Sequence, residues 1–221
     1  MYTKMIEMLD SKDYEGLRRK LLQLEEHENQ FPKRSYMCNS PLVIFKRRIP
    51  WLMMLMVSAI FTARILAVFE NALATHTVFV LFIPMLMGAG GNAGIQASVA
   101  VIRGISLNEL HFKDFGKVLW KEVQVAFLCG LVLVLVNLIK IVLIDNLLFH
   151  TAISIVVMCI VSLTLLFTVV LSKIVGCLLP LISVRLGFDP AVMASPFVTT
   201  IVDIASLLLY FGIIACFDGK I

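Results

Sequence analysis

Three oxygen-bearing side chains are spaced by four residues on the last hydrophobic segment of the sequence. Ser195, Thr199 and Asp203 would form a polar stripe on a helix, with Tyr210 about two turns further on. Carboxylate and hydroxyl oxygens are ligands of hard divalent cations, and Mg²⁺ is usually bound through one or two carboxylates while it keeps several waters. The stripe therefore predicts a cation site on a hydrophobic helix.

Asp203 lies deep in this segment. The helical rise from Ala191, where the apolar run starts, to Asp203 is about 18 Å, near the centre of a bilayer core about 30 Å thick. A charged Asp there costs about 2.5 to 3.5 kcal/mol on insertion scales, and such side chains usually face a bundle interior or a hydrated cavity. Two other interpretations stay open, namely an ion pair with Arg64 and a carboxyl group that keeps its proton.

A second polar run, PMLMGAGGNAGIQAS at residues 84–98, lies in the second hydrophobic segment. Glycine costs about 1 kcal/mol relative to alanine in a helix interior, so its four glycines predict an interrupted helix. Asn92 and Gln96 are one turn apart, and their amides would line a polar path from one face. The alternative is close helix packing through small residues, for which Gly90-x-x-x-Gly94 is a known pattern.

The start of the last segment has its own polar features. Asp189 and Pro190 have the residue types of a helix N-cap and first position, and Pro196 then removes one intrahelical hydrogen bond. A carbonyl freed at membrane depth is tolerated where protein or a water-filled cavity meets it. The candidate metal-ligating residues are Asp203, Asn92, Thr199, Ser195, Gln96 and Asp189.

The composition is that of an integral membrane protein. Hydrophobic residues make up 60% of the 221 residues and charged residues 15%, against about 25% charged residues in a typical soluble protein. A helix needs about 20 apolar residues to cross a bilayer. The sequence predicts an all-α, multi-pass protein with five spans, at approximately residues 51–69, 78–102, 118–143, 151–179 and 191–216.

The positive charges are concentrated on one predicted side of the membrane. Ten of the 19 Lys and Arg precede Trp51, and others flank the connections after spans two and four. Basic residues gather on the cytoplasmic side of membrane proteins. The pattern predicts a cell-membrane protein with a cytoplasmic N-terminus and an external C-terminus, and it argues against nucleic-acid binding.

The chain is predicted to divide into a short cytoplasmic segment, residues 1–45, and a transmembrane domain, residues 46–221. Residues 13–28 carry leucines at helical spacing among charges, which predicts an amphipathic helix. The leucines are Leu17, Leu21 and Leu24. Residues 31–50, with three prolines, predict a linker that ends at the lipid headgroups.

A short interfacial helix is predicted between spans two and three. Ser106 and Glu109 have the spacing of a capping box, which marks a helix start. Leu110, Phe112 and Phe115 follow among charges, as in a helix that lies on the membrane surface.

An intramembrane enzyme that uses Asp203 as acid or base is not favoured. Aspartyl chemistry uses a second carboxylate close by, and no other Asp or Glu is predicted within a span. The five cysteines are isolated, without a CxxC pair, and predict buried thiols rather than a metal site or disulfides. A membrane scaffold held together by polar residues is a further alternative.

Two of these segments resemble those of the MgtE family of magnesium transporters and channels, and of related animal solute carriers. The matching stretches are residues 84–103 (PMLMGAGGNAGIQASVAVIR), 189–203 (DPAVMASPFVTTIVD) and 48–51 (RIPW), and the resemblance covers roughly residues 46–217. It implies a homodimer of five-helix subunits in which spans two and five line a central pore. Two Asp203 side chains would then face hydrated Mg²⁺.

The resemblance also matches two site residues to positions of the family pattern, and it bears on how the pore would be closed. Asn92 corresponds to the asparagine of the family's GGN sequence, and Ser195 stands where relatives can have asparagine. Typical bacterial members close the pore with a large cytoplasmic region that includes paired CBS domains, a mechanism not expected of residues 1–45.

The resemblance implies transport of divalent cations, chiefly Mg²⁺, with Mn²⁺, Co²⁺ and Ca²⁺ as other ions. A passive pore and a Na⁺- or H⁺-coupled exchanger both stay open. No cofactor is expected, because Mg²⁺ would be bound as the transported ion. The expected partners are a second copy of the chain and membrane lipid.

Overall fold

The computed structural model describes residues 13–16, 18–19, 21–22, 40–75, 77–107, 109–110, 112–187 and 190–217. All regular secondary structure in these ranges is helical, and five of the helices are long and apolar enough to cross a membrane. The prediction of an all-α chain with five spans is confirmed. The five long helices are α1 (Pro41–Val68), α2 (Ile83–Ser106), α3 (Phe115–Lys140), α4 (Ile155–Arg185) and α5 (Pro190–Cys216).

Shorter helical pieces extend or join these spans. A six-residue helix, Glu70–Thr75, and a 3-10 helix, Thr77–Phe82, lead from α1 into α2. A 3-10 turn, Phe112–Asp114, precedes α3, and a π-helical stretch, Ile141–Leu148, continues α3. Because these connections are short, successive spans must run in opposite directions.

The chain divides into two units, residues 1–50 and residues 51–221. In the first unit, the described residues between 14 and 22 are helical. The Asp13 carboxylate accepts a hydrogen bond of 2.9 Å from the Gly16 N–H, as the side chain of an N-cap residue does. Leu21 is exposed, whereas Leu17 and Leu24 of the predicted amphipathic helix lie outside the described residues.

The predicted linker at residues 31–50 is wrong for its second half. α1 begins at Pro41 and continues through Pro50, while residues 31–39 lie outside the described residues. The Ser40 carbonyl accepts hydrogen bonds from the N–H groups of residues 43 and 44, at 3.0 and 3.3 Å. Proline suits the first helical position because the N–H that it lacks would have no intrahelical partner there. Pro41 therefore starts a helix instead of preventing one.

The predicted capping box between spans two and three is also wrong. Ser106 is the last residue of α2. The N–H groups of Glu109 and Leu110 both donate to the Gly104 carbonyl, at 2.9 and 3.2 Å, and so close a helix end instead of opening a helix. The expected interfacial helix is reduced in the structure to the single turn at Phe112–Asp114.

In the second unit, α4 lies at the centre and packs against α2, α3 and α5. α1 contacts α5 at two levels. The Trp51 ring meets Phe197 edge-on with 6.0 Å between centroids, and the hydroxyl oxygens of Ser58 and Thr200 are 3.2 Å apart. Most of the large apolar side chains of α1 are exposed, as expected of a helix that faces lipid.

The main apolar core surrounds the start of α2. Phe79 and Phe82 of the 3-10 helix belong to one buried cluster with Tyr210 and Phe211 of α5. The Tyr210 hydroxyl donates a 3.0 Å hydrogen bond to the Phe79 carbonyl, and the two rings meet edge-on with 5.9 Å between centroids. Tyr210, the outermost member of the predicted polar stripe, is thus part of this core.

Replacing Tyr210 by phenylalanine should remove this hydrogen bond and leave the ring contacts in place. We expect Tyr210→Phe to lower the free energy of unfolding by about 1 kcal/mol, the usual net contribution of one hydrogen bond. Thermal unfolding of the purified protein in detergent measures the change. Tyr14→Phe, at an exposed position, is the control. Equal melting temperatures for Tyr210→Phe and the unsubstituted protein would show that the hydrogen bond contributes nothing.

Candidate cation site

The second and fifth spans meet around a small cavity of about 280 Å³. The cavity brings the glycine-rich run of α2 together with the polar stripe of α5. Its lining residues are Met87, Gly88, Gly91, Asn92, Ile95, Thr199 and Asp203.

The glycines of α2 belong to an uninterrupted helix, so the predicted interruption is wrong. Gly90 and Gly94 are buried, and a Cβ atom at these positions would lie 2.8 Å from a Val202 methyl and 2.6 Å from a Val198 methyl, respectively. The alternative of close packing through small residues is therefore confirmed for this pair. The packing of α2 against α4 and α5 offsets a helix-propensity cost of about 1 kcal/mol per glycine.

On α5, Thr199 and Asp203 line the cavity from positions one turn apart. The helix continues through Pro196. The Thr199 hydroxyl donates a 3.0 Å hydrogen bond to the Pro196 carbonyl. Since its proton is used in this bond, the Thr199 oxygen can act towards a cation or its waters only as an acceptor.

The structure separates the predicted ligands into three groups. Asn92, Thr199 and Asp203 line the cavity together. Gln96 is exposed on α2, as Asn92 is, but is not among the lining residues. Ser195 belongs to α5, but its side chain, like all of Asp189, lies outside the described residues.

Asp203 is half-buried and belongs to none of the ion pairs between described residues. Arg64, its alternative structural partner, is exposed on α1. The structure therefore gives no support to the Asp203–Arg64 pair, and the carboxylate is directed to the cavity instead.

The donor set fits a cation that keeps its hydration shell. Within the described ranges, no group of three or more His, Cys, Asp or Glu side chains could hold a dehydrated metal ion. The described cysteines are free thiols, and Cys38 lies outside the described residues. The cavity of about 280 Å³ is wide open on one side, and it has room for several waters, since one water needs about 10 to 15 Å³ of such volume. One carboxylate, one amide and one hydroxyl can therefore contact an ion through its waters.

A charged pair inside the spans was missed from the sequence. Glu122 lies in α3 and Lys173 in α4, so the prediction that no other carboxylate lies within a span is wrong. The Lys173 Nζ is 3.6 Å from the Glu122 Oε2, and the two side chains are 6% and 18% exposed, respectively. The predicted spans contained both residues, but periodicity does not show which faces of two helices meet.

A second ion pair joins the two parts of the extended α3. Lys140 at the end of α3 contacts Asp145 of the π-helical stretch, with 2.7 Å between Nζ and Oδ2. The Lys140 Nζ also lies 5.0 Å from the centroid of the Phe82 ring, within the range of a cation–π interaction. These contacts tie the end of α3 to the start of α2.

A sequence model of the MgtE family, described as "Divalent cation transporter", matches residues 83–213. The match covers more than half of the chain and includes every residue that lines the cavity. The chain belongs to the MgtE family. The family is one of transporters and not of enzymes, as expected, and the resemblance seen in residues 84–103 and 189–203 is confirmed.

Curated members of the MgtE family show similarity over most of this chain. The magnesium transporter MgtE of Bacillus subtilis (strain 168) is 33% identical over 172 residues, which is 77% of this chain and 36% of the relative. The magnesium transporter MgtE of Thermus thermophilus is 31% identical over 173 residues, 78% of this chain and 37% of the relative. The corresponding protein of Enterococcus faecalis is 29% identical over 178 residues. This MgtE-family chain thus spans little more than a third of the length of these relatives.

Proposed function

We propose that this chain provides a path for divalent cations, chiefly Mg²⁺, across the cell membrane along the cavity between α2 and α5. The observation that supports this best is the convergence of Asn92, Thr199 and Asp203 from two spans on one open cavity. Family membership supports the same class of function, and the curated relatives are named as magnesium transporters.

Each polar residue has a distinct role in this proposal. The Asp203 carboxylate supplies fixed negative charge that attracts the cation and accepts hydrogen bonds from its waters. The Asn92 amide oxygen and the Thr199 hydroxyl oxygen accept further hydrogen bonds from the same waters. Ser195 and Asp189, which precede Thr199 in the sequence, are proposed to supply further oxygen ligands.

The proposed path is completed by a second copy of the chain. Two subunits related by a twofold axis would place two Asp203 carboxylates around one ion, and their combined negative charge would balance the positive charge of Mg²⁺. The N-terminus is proposed to be cytoplasmic and the C-terminus external, because the basic residues collect on the side of the N-terminus.

The proposed function is tested by flux measurements on the purified chain in liposomes. Mg²⁺ should enter the vesicles, and an inside-negative voltage should accelerate its entry without any counter-ion, as in a passive pore. A strict requirement for a Na⁺ or H⁺ gradient would replace the pore with a coupled exchanger. Absence of Mg²⁺, Mn²⁺, Co²⁺ and Ca²⁺ flux from vesicles that contain folded protein would overturn the proposal.

Two amide side chains one turn apart on α2 provide a matched comparison. Asn92→Ala should raise the Mg²⁺ concentration for half-maximal flux by about tenfold, the effect of losing roughly 1.4 kcal/mol of binding. Gln96→Ala should leave it within about twofold, because Gln96 lies outside the cavity lining. Concentration-dependent flux in liposomes measures both. Equal effects of the two substitutions would contradict the assignment of Asn92 to the ion path.

A further inference from the structure

The start of α3 carries a row of exposed basic side chains. Lys113 lies in the 3-10 turn before the helix, and Lys117 and Lys121 follow it at intervals of four residues. All three side chains are exposed, and none of them belongs to an ion pair between described residues. This lysine row therefore presents three ammonium groups that the described part of the chain does not neutralise.

The acidic side chains of the same stretch are turned away from the lysine row. The Glu122 side chain is 18% exposed, and its Oε2 atom lies 3.6 Å from the Lys173 Nζ on α4. Asp114 is half-buried. The preference for basic residues on the cytoplasmic side of a membrane counts charges near the ends of a span, whichever face of the helix they occupy. It does not explain why the charges around α3 are separated, whereas an anionic ligand on the exposed face does.

The exposed face of α3 continues from the lysine row as an apolar surface. At 100° per residue, Lys117 and Lys121 share one line along the helix with Gln124, Leu128 and Leu135. The two leucines are 64% and 55% exposed. The span against which α3 packs is α4, so this line faces away from the helix bundle. It is in position to contact the acyl chains of membrane lipid.

The length of α3 places the lysine row at the lipid headgroups. Residues 125–144 are almost entirely apolar, and about 20 helical residues cross a bilayer core about 30 Å thick. The charged residue of this run, Lys140, is paired with Asp145. With the core boundary at residue 125, Lys121 lies about 6 Å outside it, and Lys117 lies one turn further out. Trp120 is exposed beside them, as aromatic side chains at the membrane interface are.

We propose that Lys113, Lys117 and Lys121 bind the headgroup of an anionic phospholipid whose acyl chains lie along the exposed leucines of α3. Lysine is a common ligand of phosphate, and each basic residue near an anionic membrane surface adds to the attraction. A soluble acidic protein would meet the ammonium groups but would find lipid over the apolar surface that continues from them. The site is separate from the ion path, and its occupancy does not depend on the proposed function.

The fluorescence of Trp120 reports on the lipid beside the lysine row. The chain has two tryptophans, so Trp51→Phe leaves Trp120 as the single one. The protein is placed in phosphatidylcholine vesicles that contain increasing amounts of phosphatidylglycerol brominated near the headgroup end of its chains, which quenches a tryptophan that it contacts. Brominated phosphatidylcholine is the reference. We expect phosphatidylglycerol to be enriched about tenfold at Trp120, within what three lysines contribute at about fivefold each.

Substitutions of the lysine row should remove this enrichment. With Lys113, Lys117 and Lys121 all changed to glutamine, the enrichment should fall to within about twofold of none, because the charge that selects the lipid is lost. Lys121→Gln alone should lower it by about threefold. The triple change to arginine keeps the charges and should keep the enrichment. Because the three positions are exposed, the variants should melt at the temperature of the parent in detergent.

A matched control removes the same number of positive charges from other exposed positions on the same predicted side of the membrane. It changes Lys46, Arg48 and Arg103 to glutamine. If the lysine row is the site, the enrichment at Trp120 should persist in this control.

Three results would overturn the proposal. The first is quenching that shows no enrichment in the unsubstituted lysine row, or the same enrichment after its change to glutamine. The second is an equal loss in the matched control, which would show that total charge rather than this surface gathers the lipid. The third is reversal of the enrichment by millimolar glycerol phosphate on both sides of the membrane, which would make a free phosphate the ligand. Lack of Mg²⁺ flux would overturn the ion path but leave the lipid result valid.

Discussion

Replacing Asp203 by asparagine is expected to reduce Mg²⁺ flux by at least about tenfold, to near the background of empty vesicles. At an effective dielectric constant of about 20, a unit charge and a divalent cation about 8 Å apart attract each other by about 4 kcal/mol before screening by salt. A loss of about 1.4 kcal/mol already lowers occupancy tenfold. Asparagine keeps the size of the side chain, so the charge is the main property that changes.

The controls for Asp203→Asn separate charge from folding. Glu109→Gln removes a carboxylate from the exposed connection between α2 and α3 and should leave flux unchanged. Asp203→Glu keeps the charge and should retain part of the flux. In a strain that depends on this chain for Mg²⁺ uptake, Asp203→Asn should abolish growth on low Mg²⁺. Normal growth and flux at normal protein levels would contradict the role of Asp203 in the ion path.

Gly176→Ala is expected to destabilise the helix bundle more than any other alanine substitution proposed for α2–α5. A Cβ atom at Gly176 would overlap the Gly94 carbonyl oxygen and lie 2.8 Å from the Gly94 carbonyl carbon. Both atoms are backbone, so no change of side-chain rotamer relieves the contact. α4 and α2 must separate, at a cost of about 1 to 3 kcal/mol for an overpacked core.

The matched control for Gly176→Ala is a glycine in open space. Gly116 is an exposed residue of α3, and a Cβ atom there would meet no atom within 4 Å. Gly116→Ala should therefore be neutral or stabilising by up to about 1 kcal/mol, from helix propensity. Thermal unfolding in detergent measures the stability of both variants. A reduced Mg²⁺ flux of Gly176→Ala would show that the separation of α2 from α4 also displaces Asn92. If both variants melted at the same temperature, the close α2–α4 contact would be absent from the folded protein.

The spans could be predicted because apolar length acts locally. Each predicted span overlaps one of α1 to α5, and the errors lie mainly at the ends. α1 starts at Pro41, about ten residues before the predicted start of span one. The prolines of residues 31–50 predicted a linker, but a proline at the first helical position is compatible with a helix. Ser106 and Glu109 fit a capping box by spacing, yet the hydrogen bonds to the Gly104 carbonyl place them at a helix end.

The glycine-rich run shows where local propensity is insufficient. Its intrinsic cost predicts an interruption, but α2 is continuous because Gly90 and Gly94 let α4 and α5 approach. Tertiary packing is not visible to a propensity scale. The same contacts leave Asn92 facing the cavity.

The sequence by itself determined which segments cross the membrane and which residue types could meet a cation, because both follow from composition and spacing along single helices. The tertiary structure decided that Asn92 rather than Gln96 joins Thr199 and Asp203, and that Glu122 pairs with Lys173. The physical reason is that successive residues point about 100° apart around a helix axis. The rotation and height of each helix are therefore set by contacts between helices, such as that of Gly176 with Gly94.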